Sequence, residues 1–199
     1  MVESGGAIDG FFKSACLFEA LLLPLAFLLG WMADIDPLAT CSFSEAAIFY
    51  GIAGTLPLVL LFFSAQYASH AALRKIRDLI MVTLASKLYA RHWTDLFMLS
   101  AIAGVAEEAL FRGVVQPWIE LHWGFAAGLM LSSVLFAVVH AITPLYALFA
   151  GVVSVYLGLA LDYGGTRNLL TPIVIHGLYD FIAFLLLIRL YKKYYLAQA

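Results

Sequence analysis

Apolar residues run along this chain in long blocks, broken by short polar connections. A membrane-spanning helix needs about 20 predominantly apolar residues. Six stretches approach that length, some only when a few polar residues are tolerated: Ser14 to Met32, Ser44 to Ala65, Asp95 to Trp118, Trp123 to His140, Leu145 to Leu161 and Leu169 to Leu190. The pattern predicts an all-α polytopic membrane protein of about six transmembrane helices. The connection from Gln66 to Thr94 has a different rhythm. Arg74, Lys75, Arg77, Lys87 and Arg91 alternate with Ile76, Ile80, Leu84 and Leu88 at helical spacing. That is the pattern of one amphipathic interfacial helix with its apolar side toward the bilayer. No internal repeat or long linker divides the chain, so residues 1–199 are read as a single membrane domain.

Composition sharpens this picture. Of the 199 residues, 64% are hydrophobic and 12% charged, against about 45–50% and about 25% in an ordinary soluble domain. A net charge of −2 offers no basic surface for nucleic acid. Cys16 and Cys41 have neither disulfide-framework nor metal-ligand spacing. The first apolar block follows a single lysine, Lys13, and no convincing small-x-small site ends it, so it reads as a retained helix. Nine of the eleven Lys and Arg residues fall on one side of a six-helix arrangement. The other side holds Arg167 with Asp34, Asp36, Glu120 and Asp162. The positive-inside bias then places both termini in the cytoplasm, and the small size suggests a prokaryotic cytoplasmic membrane.

Against this background, the ionisable residues inside the helices stand out. Such a side chain costs about 2.5–3.5 kcal/mol at a helix centre on insertion scales, and is usually paired and functional. The third helix carries Glu107, Glu108 and Arg112. Glu108 and Arg112, four apart with the acid first, suit a salt bridge, which leaves Glu107 over. A buried carboxylate with an acidic neighbour can serve as a base near neutral pH. The fourth helix ends Phe136-Ala-Val-Val-His140, with the ring able to wall the imidazole. The sixth carries His176 and, one turn on, Asp180. Small residues (Ala101, Ala103, Gly104, Ala106 and Ala109 on the third helix, Gly128 and Ala137 on the fourth) would let these helices approach closely. Each element alone could be structural; three together in hydrophobic helices argue for a site. His70, His92 and His122 lie in or beside loops and read as structural. Glu19 in the first helix either snorkels to the inner surface or gates access to the site. Straight helices with these boundaries would leave His140 nearer the cytoplasm than Glu107, so tilt, a shifted boundary or a broken helix must bring them level.

The ordered motifs Glu107-Glu108-Ala-Leu-Phe-Arg112, Phe136-Ala-Val-Val-His140 and His176-Gly-Leu-Tyr-Asp180 resemble those of the CAAX-protease and bacteriocin-processing family of intramembrane endopeptidases. That pattern is Glu-Glu-x-x-x-Arg, Phe-x-x-x-His and His-x-x-x-Asn or Asp, each on its own helix. The resemblance covers about residues 95–190, the family's four-helix catalytic core. It implies Glu107 as general base, His140 holding the attacking water, His176 with Asp180 stabilising the oxyanion, and Glu108 with Arg112 organising the site. An ionised Asp at position 180 cannot donate a hydrogen bond as Asn does, so it either carries a proton or orients His176; orientation is the expectation.

The leading reading is therefore an intramembrane endopeptidase with a glutamate-activated water and no cofactor, acting on a membrane-tethered protein or peptide. Two alternatives stay open. One is a Zn2+ metalloprotease with Glu107, His140, His176 and Asp180 as ligands, although His-Glu-x-x-His is absent. The other is a proton-coupled transporter or membrane binder using the same residues as a relay, although neither repeat symmetry nor matched broken helices are evident.

Overall fold

The computed structural model describes residues 5–196; the outermost residues of both termini, and the expectation placed on them, lie outside the described residues. Among the described residues every regular element is helical. Helix α1 spans Gly5–Ala33 and α2 Glu45–Tyr67. Helix α3, Ala71–Ile80, passes through a widened π-type turn, Met81–Ala85, into the short α4, Ser86–Leu88. Helix α5, Trp93–Leu110, continues through a second widened turn, Phe111–Val115, into α6, Gln116–Trp123. Helices α7, Phe125–Val139, α8, Pro144–Ala160, and α9, Leu170–Tyr191, follow. The starts have local causes. The Ser44 hydroxyl accepts from the Ala47 N–H at 3.0 Å, and Thr143 caps α8 ahead of Pro144, accepting from Tyr146 N–H at 3.1 Å.

Among the described residues, three helices are long and apolar enough to cross a membrane by length and composition: Asp9–Ala33, Glu45–Tyr67 and Leu170–Tyr194. Phe125–Val139 and Pro144–Ala160 are shorter apolar helices. Helix α5 bears Asp95, Glu107 and Glu108 and packs between α1 and α9. Leu17, Phe18, Leu21, Leu28, Met130, Leu131, Val134 and Val138 all stand exposed. A monomer rarely shows water so large an apolar surface; lipid covers it, and the protein is an integral membrane protein.

Neighbouring helices pack in both senses, parallel and antiparallel. Phe12 packs with Leu96 and Leu99, and Ala26 with Ala109 to Phe111, so α1 runs parallel to α5. Phe97 meets Phe181 and Gly104 meets Gly177, so α9 runs antiparallel to both. Helix α7 turns back along α6 through Gly124, whose φ of 83° is a left-handed value that favours glycine. Gly151 lies against Ala137 and Gly158 against Leu129, so α8 reverses again.

The basic connection differs from its expectation in what it packs on. Met81 and Ala85 pack with Leu187, and Leu88 packs with Phe12, Leu96 and Ile188. The protein itself therefore covers much of the stripe that was expected to face lipid. Arg77 donates to the Ala65 and Ala68 carbonyls, both at 2.8 Å, and so closes the end of α2. At the far end of the bundle, Arg167 joins Glu120 at 2.6 Å and Asp162 at 3.1 Å. Hydrogen bonds from Arg167 to Asp162 and then Glu120 raise its proton affinity above the ordinary arginine value. Asn168 ties the α1–α2 loop to the same end, donating to the Ser42 carbonyl at 2.8 Å.

Candidate active site

The close approach of α5 and α9 rests on two glycines. A Cβ added at Gly104 would come within 2.8 Å of the Gly177 backbone nitrogen, so any side chain there would force the helices apart. At this distance Glu108 reaches across to His176, whose Nδ1 lies 2.8 Å from Glu108 Oε1. The same oxygen lies 3.2 Å from Arg112 Nη1. Arg112 Nη2 donates to the Ser154 carbonyl at 2.7 Å and to its hydroxyl at 2.8 Å, which anchors the widened turn to α8. The Arg112 guanidinium also sits over the Phe136 ring, 5.1 Å from its centroid. Glu108 and Arg112 are both almost wholly buried, at 0% and 1% exposure.

Glu107 points to the other side of this knot. Its Oε2 lies 3.6 Å from His140 Nε2, beyond a direct hydrogen bond, and has no hydrogen-bond partner although buried. His140 stacks on Phe136 with centroids 4.1 Å apart and planes 16° apart, so the ring does wall the imidazole. His140 Nδ1 is 2.9 Å from the Phe136 carbonyl. A carbonyl only accepts, so Nδ1 carries the hydrogen and Nε2 is the atom turned to Glu107. Asp180 Oδ2 lies 3.5 Å from His176 Nε2. The two carboxyls thus face different nitrogens of one ring, and the hydrogen bond that orients it comes from Glu108. The His140 and Asp180 side chains are 30% and 25% exposed, so the site opens on their side.

All six sequence-predicted site residues, Glu107, Glu108, Arg112, His140, His176 and Asp180, are therefore gathered in one cluster. The depth mismatch is removed by the hairpin. The helical run of α5 and α6 continues to Trp123, so Glu107 and His140 stand 17 and 16 residues from Gly124 on opposite arms. Equal arms bring them level. Ser154 is a member that sequence reasoning missed, since a serine in an apolar helix carries no distinctive signal. Glu19 lies on the side of α1 that packs against α5, close to the level of Glu107. Of the proposed zinc ligands, Glu107 pairs with His140 and Asp180 with His176. Among the described residues no three His, Cys, Asp or Glu side chains converge on a point where they could hold a metal.

Residues 89–182 match the family described as type II CAAX prenyl endopeptidase Rce1-like. This segment is similar to Rce1-like domains. It contains all six clustered residues and extends from just before α5 into α9. That description is of an endopeptidase, and the match covers just under half of the chain. No curated protein and no solved structure matches the chain significantly. Helices α1 and α2 lie outside the Rce1-like segment.

Proposed function

We propose that this protein crosses the membrane six times and hydrolyses a peptide bond in a membrane-tethered protein or peptide with a water activated by Glu107. The observation that carries the reading is the buried, unpartnered Glu107 Oε2 facing His140 Nε2 at 3.6 Å within a segment similar to Rce1-like domains. A water seated beside both can give its proton to Glu107 while its oxygen adds to the scissile carbonyl. His176, donating through Nδ1 to Glu108 and carrying a second proton on Nε2, turns that N–H toward the side where negative charge develops, and a donor aimed there stabilises the tetrahedral intermediate. Glu107 then passes the proton to the leaving amine. No side chain forms a covalent intermediate, and the reaction needs no transition metal. The family description makes a prenylated C-terminus the first substrate to test. Purified protein in lipid nanodiscs is expected to release the C-terminal fragment of such a peptide at one bond. If neither prenylated nor unprenylated membrane-anchored peptides are cut, the protease reading of this site fails.

The place of Asp180 gives a sharper test. Glu108 already holds His176 Nδ1 at 2.8 Å and Asp180 faces Nε2 at 3.5 Å; of the two roles open to Asp180, orienting the ring by charge or carrying a proton and donating as Asn would, we propose the second. Asp180→Asn is then expected to cleave within about threefold of wild type, whereas Asp180→Leu falls by about tenfold to a hundredfold, on the scale of a lost oxyanion donor. An inactive Asn variant that remains folded would restore the orienting role to the carboxylate charge.

We also propose that the end carrying Arg74, Lys75, Arg77, Arg189, Lys192 and Lys193 faces the cytoplasm of a prokaryotic cell, by the positive-inside bias. Cys41 is exposed in the α1–α2 loop, at the opposite end. A membrane-impermeant maleimide is expected to label Cys41 in intact spheroplasts. Labelling only after the membrane is opened would reverse the orientation.

A further inference from the structure

Glu19 is a carboxyl in the middle of an apolar helix that the mechanism above does not use. It lies on the stripe of α1 that faces α5, one or two turns from Phe12, Ala15, Cys16, Leu22, Leu23 and Ala26. Phe12 packs at the level of Leu96 and Leu99, and Ala26 at the level of Ala109. Glu19 therefore stands midway, one turn before Glu107. Helical side chains lean toward the N-terminus, so the Glu107 side chain leans back to this level. The register sets the two carboxyl groups close to one level of the α1–α5 contact. Oε2 of Glu19, like Oε2 of Glu107, is buried without a partner among the other groups. His140, at the end of α7, faces Glu107 at 3.6 Å.

Two carboxyl groups so placed can bond only with a proton between them; two carboxylates would have no donor. We infer that Glu19 is a positioning residue, which donates a carboxyl hydrogen bond to Glu107 and fixes the carboxylate that activates water. Helix α1, outside the Rce1-like segment, would then complete the site instead of only covering it. This inference rests on the proposed role of Glu107.

The test compares kcat and KM for wild type, Glu107→Gln, Glu19→Gln and Glu19→Leu with one membrane-anchored peptide. Glutamine keeps an N–H donor, so Glu19→Gln is expected to hold kcat within about threefold. Leucine keeps the length and suits lipid but donates nothing, so kcat is expected to fall about tenfold to a hundredfold, the scale of a misplaced reacting group, with KM unchanged. Glu19→Met and a thermal melt of each variant separate this loss from poor folding. Leu and Met variants at the wild-type kcat overturn the inference, as does a loss confined to KM. A Gln variant as slow as the Leu variant does so too, because the donor would then not be what matters. Wild type no faster than Glu107→Gln overturns the proposed function and this inference together.

Discussion

Glu107→Gln is expected to lower kcat by about a thousandfold, within the range that a general base contributes, while leaving the protein folded. The amide has nearly the shape of the carboxylate, so packing around α5 is kept. It has no basic oxygen to take a proton from water, so the step that makes the nucleophile is lost. KM should change little, since Glu107 is 6% exposed and its unpartnered oxygen faces His140. A transporter or binder built on these residues would give a different result, with no cleavage to lose. The measurement is turnover of a membrane-anchored peptide by protein matched for folded amount on size-exclusion chromatography.

Arg112→Met should act on the fold as much as on the chemistry. Arg112 and Glu108 are buried together, and the arginine also binds both oxygens of Ser154. Removing one partner of a buried pair strands the other charge and typically costs about 3–5 kcal/mol, a large share of the about 5–15 kcal/mol that holds a typical protein folded. The stranded carboxylate is the one that holds His176 at 2.8 Å, so the site would loosen as well. The expected result is a steep fall in folded protein and in its melting temperature. The double variant Glu108→Leu with Arg112→Met removes both charges, and should recover folded protein but not cleavage. A single variant that folds normally and is inactive would instead place the arginine in contact with substrate.

The cluster itself was legible in the sequence because charged residues in apolar helices are rare and each had a helical reason for its spacing. Glu108 and Arg112 four apart do pair, and Phe136 does stack on His140. What stayed hidden is long-range. The widened turn at Phe111–Val115 leaves the run of apolar residues unchanged, and the reach of α6 to Trp123 moved the hairpin to Gly124 and brought Glu107 level with His140. The basic helix read as a membrane-surface element, because an apolar stripe looks the same whether lipid or α9 covers it. The α1–α5 register, which decides between snorkelling and site for Glu19, depends on contacts between residues more than 80 positions apart.

The role of a glutamate-activated water as the whole catalytic device is tested most directly by cleavage from protein stripped of metal. Purified wild-type protein would be treated with a strong chelator, shown by elemental analysis to hold no stoichiometric transition metal, and assayed beside Glu107→Gln. The account predicts an undiminished rate from the stripped wild type and almost none from Glu107→Gln. A rate that disappears with the metal and returns with zinc, or a Glu107→Gln protein that cleaves as fast as wild type, would contradict it.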